Sequence, residues 1–259
     1  MILETLIITS LGLALGSFAT AMTARIPEGC SWITDKKEEG GDAATATRSA
    51  CMSCGKILKF YNLIPVFSWL VQKGKCSQCD AKIGISYPLI ELATALIAIG
   101  AYAAHGWTLE TLWITAAAPF LVSLTAIDLK HYILPNQLVA ILGGIGILRL
   151  LIQFQEAFLP YITGALVYSL GLFITGLILS RILKKESLGF GDVKLFAVCG
   201  LWLGLSNLPL FLILCGIFGV VLGFIWARIN GKQIFPFAPA ILLSFLVILL
   251  MQGHNIVFL

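Results

Sequence analysis

The sequence predicts an all-α protein that crosses a membrane several times and carries a small metal-binding loop domain. Of its 259 residues, 59% are hydrophobic and 12% are charged, whereas soluble domains are about 45–50% apolar and about 25% charged. The mean hydropathy is +0.96. Two C-x-x-C pairs stand in the one long polar segment. These observations favour an integral membrane protein and argue against an ordinary soluble domain.

Eight apolar segments are predicted to be membrane spans, since a span needs about 20 mostly apolar residues. The first begins "MILETL", with no basic residues before it and no A-x-A cleavage pattern after it. We therefore expect a retained helix rather than a secretory signal. The predicted spans are 2–24, 87–104, 111–127, 137–153, 160–180, 192–206, 209–227 and 235–251.

The basic residues are distributed unequally between the two sides that these spans define. Of the 17 Lys and Arg residues, 16 fall on one side and only Arg149 falls toward the other. The side rich in Lys and Arg is expected to be cytoplasmic. Both termini are then outside. The chain divides into a first helix (1–24), a cytoplasmic domain (25–86) and a seven-helix membrane domain (87–259).

The cytoplasmic domain holds a pattern typical of a structural zinc site. Its cysteines form C-x2-C, 21 residues, C-x2-C, and a tetrahedral ion could close the loop between the two pairs. Disulfide or redox use and free thiols are the alternatives, and a reducing cytosol disfavours disulfides. The polar stretch between Pro27 and Arg48 is expected to be a linker. The four candidate ligands are Cys51, Cys54, Cys76 and Cys79.

Carboxylates at membrane depth are functional candidates by default, and four qualify. Glu4 lies near the outer end of the first span, where it can reach water. Glu91 lies about one turn into the second span, and it is either a helix-start carboxylate or a supporting group of a site. Asp128 ends the third span and Asp192 opens the sixth, which places both at the cytoplasmic face.

Asp128 and Asp192 are the strongest candidates because they lie at the same depth. Taken singly, Asp128 could be a boundary residue and Asp192 a helix N-cap. Two neighbouring carboxylates share a proton, so one can activate water while the other polarises a carbonyl. Gly189 and Gly191 would let the backbone turn tightly or approach a substrate peptide closely. The pair therefore predicts aspartic-protease chemistry.

Four stretches carry a resemblance over nearly the whole chain. They are "LGLALGSFATAMTARIP" (11–27), the two-CxxC region through "YPLIELATAL", "DLKHYILPN" (128–136) and "GFGDVKLFAVCGLWLG" (189–204). With these residues the chain resembles the bacterial type IV prepilin peptidases, which are GxGD-type membrane aspartic proteases and often also N-methyltransferases. Three residues depart from the usual family pattern. Met52 follows the first cysteine of the pair, where the family often has Pro; Asn136 stands in place of the family's usual Asp; and Ala238 stands in "PFAP" where the family often has Gly.

The resemblance implies an enzyme of the bacterial inner membrane with its active site facing the cytoplasm. It would cut the leader from type IV prepilins or pseudopilins and then methylate the new N-terminus with S-adenosylmethionine. The partners are these substrates and the lipid bilayer, with no nucleic acid. Carried over, Asp128 and Asp192 are catalytic, and Gly189, Gly191 and Lys194 shape their surroundings. The four cysteines belong to the domain that methylating members possess.

Two other functions remain open from the residues alone. One is a peptidase without methyltransferase activity, since no strand–G-x-G-x-x-G–helix unit marks a cofactor site. The other is a transporter or a non-catalytic membrane scaffold with a zinc module, since intramembrane carboxylates also serve proton relays.

Overall fold

A computed structural model describes residues 2–28, 51, 53–156, 158–184, 188–231 and 235–253. Most of the predicted linker before Arg48 lies outside these residues. The described chain is helical, and its extended pairing is limited to isolated bridges such as that between Lys75 and Lys82. The prediction of an all-α polytopic protein is confirmed.

Each predicted span corresponds to a helix of the described chain. A ninth, short helix, α2, lies between the two cysteine pairs. The helices are α1 (Ile2–Arg25), α2 (Phe67–Val71), α3 (Ser86–His105), α4 (Leu109–His131), α5 (Asn136–Gln153), α6 (Phe158–Leu183), α7 (Phe190–Leu203), α8 (Leu208–Asn230) and α9 (Ala238–Gln252).

Six of the described helices are long and apolar enough to cross a membrane by length and composition. They are α1, α3, α4, α5, α6 and α8. The other two helices that match predicted spans are shorter, with 14 residues in α7 and 15 in α9. At 1.5 Å per residue these two are about 21–23 Å long, less than the roughly 30 Å hydrocarbon core.

The two short helices have ends that the apolar pattern alone did not predict. The sixth span was predicted to run to residue 206, but α7 ends at Leu203 because Gly204 adopts φ +74°. The eighth span was predicted to begin at residue 235, but α9 begins at Ala238, with Pro239 in its first turn. Proline is favoured in a first turn because its missing N–H would be unpaired there.

The chain forms two compact units, and the first comprises Met1–Ala103 with Ile114–Ser123. Small residues bring α1 and α3 together in this unit. A Cβ added at Gly12 would lie 2.8 Å from the Cα of Ala95. The hydroxyl of Ser123, in the middle of α4, donates to the carbonyl of Ala19 at 3.2 Å.

The second unit comprises Ala104–Trp113 with Leu124–Leu259. In this unit α6 and α7 approach each other closely where two glycines face each other. A Cβ at Gly200 would lie 2.5 Å from the carbonyl oxygen of Gly164, so only glycine permits this approach. The contact fixes α7, which carries Asp192, against the longest helix of the unit.

A buried ion pair links α4 to α5 within the second unit. Arg149 is 2% exposed, and its guanidinium makes a bidentate contact with Glu110, with the shortest N···O distance 2.8 Å. It also donates to the carbonyl of Trp202 at 3.2 Å and lies over the ring of Phe154. The positive charge of the Arg149 guanidinium is therefore paired within the protein.

Candidate active site and metal centre

Asp128 lies in the last turn of α4 and is 6% exposed. Its carboxylate oxygen Oδ2 accepts a hydrogen bond from the main-chain N–H of Ala238 at 3.0 Å. That N–H belongs to the first turn of α9, where backbone N–H groups have no partner within the helix. Tyr132, in the left-handed region at φ 58°, ends α4 just beyond this turn. The carboxylate is thus held by the start of another helix.

Asp192 lies in the first turn of α7 and is partly exposed. Its main-chain N–H donates to the carbonyl of Gly189 at 3.1 Å. The carboxylates of Asp128 and Asp192 are close enough to interact electrostatically. The fold therefore brings together the two aspartates that the sequence singled out, although they are 64 positions apart.

The glycines before Asp192 are used for close approach within the protein. Gly189 has an ordinary extended backbone at φ −74°, and a Cβ there would lie 3.2 Å from Oδ2 of Asp192. A Cβ at Gly191 would lie 3.1 Å from the Cβ of Leu134. The start of α7 is thereby packed against the segment that follows Asp128.

Lys194 forms a second link between the same two segments. Its ammonium donates to the side-chain oxygen of Asn136 at 2.8 Å and lies 4.9 Å from the centre of the Phe190 ring. Asn136 is the position where the resembled family usually has Asp. The bond is therefore between a charged donor and a neutral acceptor, at the exposed edge of the site.

Sequence reasoning missed the contribution of Ala238 to this site. The "PFAP" stretch was noted only for its departure from the family pattern. The main-chain N–H of Ala238 donates to Asp128, which lies 110 positions earlier in the chain. The side chain at this position gives no sign of that backbone donor. The one available signal was a proline in the first turn of a helix, which predicts where unpaired N–H groups lie.

The four candidate cysteine ligands form one cluster in the first unit. Their sulfur atoms all lie within 4.8 Å of one another, and those of Cys51 and Cys79 are 3.8 Å apart. Four Zn–S bonds of about 2.3 Å in a tetrahedron would place the sulfurs about 3.8 Å apart. The described cysteines form no disulfide. The donor set and its spacing fit a tetrahedral metal ion.

Two similar turns build this cluster. In the first, the N–H of Gly55 donates to the carbonyl of Cys51 at 2.8 Å, and in the second the N–H of Asp80 donates to that of Cys76 at 3.0 Å. Each turn ends in the left-handed region, at φ 68° and 54° respectively. Backbone N–H groups of Cys54 and Ser53 lower the pKa of Cys51, whereas the neighbouring thiols raise the pKa of Cys79, so the four thiols share their protons when no metal ion holds them.

Glu91 has a structural partner in the first unit. It is 9% exposed, and its carboxylate accepts the main-chain N–H of Val66 at 2.7 Å. Val66 has φ 60° and ψ −49°, a strained conformation for a β-branched residue. Glu91 therefore holds the loop between the cysteine pairs, and a supporting role in a site remains a prediction.

The fold and these two sites define a class: a polytopic α-helical membrane protein with a pair of aspartates at adjoining helix ends and a four-cysteine loop. Residues 10–105 match the model for the bacterial peptidase A24 N-terminal domain, and residues 115–224 match that for the type IV leader peptidase family. The chain belongs to the type IV leader peptidase family.

Three relatives illustrate this membership. A prepilin leader peptidase/N-methyltransferase of Legionella pneumophila is 32% identical over 93% of this chain and 89% of its own. One of Pseudomonas aeruginosa is 33% identical over 88% and 84%. A type 4 prepilin-like proteins leader peptide-processing enzyme of Escherichia coli is 33% identical over 80% and 76%. No solved structure matches the chain.

Proposed function

We propose that this protein removes the leader peptide of type IV prepilins or pseudopilins and then methylates the new N-terminus. The observation that carries the proposal is the pairing of Asp128 and Asp192 at adjoining helix ends in a member of this family. The names of the relatives, which join leader peptidase to N-methyltransferase, support both activities.

The two aspartates would act as an acid–base pair on the peptide bond. The ionised carboxylate takes a proton from water, whose oxygen attacks the carbonyl carbon while the protonated carboxyl donates to the carbonyl oxygen. The C–N bond then breaks as the leaving nitrogen takes a proton from the pair. The N–H of Ala238 fixes one oxygen of Asp128 and leaves the other for this chemistry.

Residues 87–259 form the proposed peptidase domain, and the first helix (1–24) and the loop domain (25–86) precede it. Cys51, Cys54, Cys76 and Cys79 would hold zinc, which would fold this loop rather than act on substrate, since four thiolates leave no open position. A segment of this size seldom forms a stable core of its own without such a clip.

The proposed site opens toward the cytoplasm in the bacterial inner membrane. The distribution of 16 of 17 basic residues supports this orientation. The prepilin substrate would present its leader at the cytoplasmic face while its apolar helix stays among the membrane spans.

Methylation follows cleavage because it needs the amine that cleavage releases. S-adenosylmethionine, as second substrate, would supply the methyl group: the amine nitrogen bonds to the methyl carbon as the carbon–sulfur bond breaks, S-adenosylhomocysteine leaves, and the nitrogen loses a proton. A peptidase without methyltransferase activity would release a pilin whose new N-terminus carries no methyl group.

Mass spectrometry of a prepilin-type substrate incubated with the purified chain and S-adenosylmethionine tests the function. We expect loss of the leader and gain of one methyl group. Loss of the leader alone would remove the methyltransferase from the proposal. An unchanged substrate, with zinc-loaded protein and several pilins, would overturn both activities.

A further inference from the structure

A group of large apolar side chains is exposed in the loop domain, outside the long helices. It lies between the two cysteine pairs and includes a short helix, α2. Phe67, Leu70 and Val71 are 62%, 59% and 65% exposed. We call this group the α2 surface; its members are Tyr61, Leu63, Ile64, Phe67, Leu70 and Val71.

The exposure follows from how α2 is anchored. Phe67, Leu70 and Val71 stand at positions i, i+3 and i+4, which share one face of a helix. Trp69 is turned away from them: its indole N–H donates to the carbonyl of Ile83 at 3.2 Å, and its ring fills the space where a Cβ of Gly74 would lie. The loop domain thus partly covers the Trp69 side of α2 and leaves an apolar face exposed.

The depth of the α2 surface is set by its link to α3. Glu91 is five residues beyond the start of α3 at Ser86, which corresponds to about 8 Å along the helix axis. Its carboxylate holds the main chain of Val66, the residue directly before α2. On the other side Gly16 of α1 packs against the backbone of Glu91. Val66 is therefore level with a position inside two membrane-spanning helices.

The positive charge of residues 51–85 is complementary to the negative charge of anionic headgroups. Residues 51–85 contain five lysines and one acidic residue, Asp80. All five lysines are exposed. Amphipathic segments with apolar residues on one face and lysines beside them lie about 5–10 Å into the boundary between headgroups and acyl chains. Measured from the start of α3, the roughly 8 Å to Glu91 equals such a depth. The lysines are Lys56, Lys59, Lys73, Lys75 and Lys82.

We propose that the α2 surface is embedded in the lipid–water interface beside α1 and α3, with anionic phospholipid as its partner. The loop domain then rests on the bilayer and is not free in water. This inference goes beyond the proposed function and depends on neither the peptidase nor the methyltransferase activity.

Photolabelling of the unmodified chain tests this placement without any change that could unfold the loop. The zinc-loaded protein is placed in nanodiscs that contain a phosphatidylglycerol with a diazirine on the upper part of an acyl chain. After illumination, lipid adducts are mapped by mass spectrometry. The exposed turn 75–82, whose Lys75 and Lys82 would stay at headgroup level, is the internal control.

We expect adducts on residues 60–71 several-fold above those on residues 75–82. The double variant Phe67→Ser, Leu70→Ser should lose most of them while its zinc content stays at that of the unmodified chain. Labelling of 60–71 no higher than that of 75–82 would overturn the proposal. So would a segment 60–71 that carries no lipid adducts and is shielded from a water-soluble diazirine only when a prepilin-type substrate or a second copy of the chain is present.

Discussion

The cysteine cluster and the aspartate pair solve the same problem, bringing distant residues together, in opposite ways. Each cysteine pair is set by its own short turn, with hydrogen bonds from Gly55 to Cys51 and from Asp80 to Cys76. The aspartates come from α4 and α7 and depend on how whole helices pack. A substitution in the cysteine cluster should therefore disturb only the loop around it. The aspartate pair should instead be disturbed by any change that shifts α4 relative to α7.

The largest expected effect is the loss of one carboxylate. Asp128→Asn and Asp192→Asn each remove a proton-transfer group, so the cleavage rate should fall by roughly 10²–10⁴-fold. Single-turnover cleavage of a prepilin-type substrate measures it. Zinc content should not change, because the cysteine turns do not involve either residue. A variant that cleaves at the normal rate would remove that aspartate from the proposed pair.

Loss of a metal ligand should give a smaller and more local effect. Cys76→Ser replaces a buried cysteine of the cluster, so we expect the zinc content to fall and residues 53–85 to become sensitive to protease. Leader cleavage should be retained to a greater extent than methylation. Cys199→Ser is the matched control, since Cys199 is also buried but lies in α7. Equal zinc loss in both variants would contradict the assignment.

A methyl group added at Gly191 should displace one aspartate of the pair without changing either aspartate side chain. The added Cβ in Gly191→Ala would meet Leu134 at 3.1 Å and displace the first turn of α7. A misplacement of about 1 Å can cost up to roughly 10²-fold in rate. We expect a fall in kcat that the second change Leu134→Gly, which removes the Cβ that the added methyl would meet, partly restores. Gly216→Ala, where nothing lies near the added Cβ, should have no effect.

The smallest effect is expected at the exposed link between the two segments. Asn136→Asp would turn the bond from Lys194 into an ion pair at the surface, worth about 0–1 kcal/mol. The melting temperature should rise slightly at low salt and return to that of the original chain at high salt. In the double variant with Lys194→Met the gain should vanish. A gain that persists in the double variant would show that Lys194 is not the partner.

The sequence predicted most of the fold because membrane spans are read from composition. The eight apolar segments each became a helix, but the ends of α7 and α9 depend on Gly204 and Pro239 rather than on hydropathy. The cysteine spacing predicted the cluster, since the ligands lie within short turns. The pairing of Asp128 and Asp192 needed an argument about equal depth, and their catalytic roles stay predictions.

What the sequence could not predict were contacts made by the main chain. The donor to Asp128 is the N–H of Ala238, and the donor to Glu91 is the N–H of Val66. Every residue except proline has such a group, so residue type carries no signal. These contacts follow only from the packing of helices that are far apart in sequence.

The buried pair between Arg149 and Glu110 has a consequence for the order in which the chain is assembled. In the proposed orientation both charges must be carried through the bilayer during biogenesis, and a single Arg at the centre of a helix costs about 2.5–3.5 kcal/mol on insertion scales. Glu110 begins α4 and Arg149 lies near the end of α5. The two helices would therefore enter the bilayer more easily as a hairpin than one at a time. Glu110 is synthesised first and would pair with Arg149 once α5 has been made.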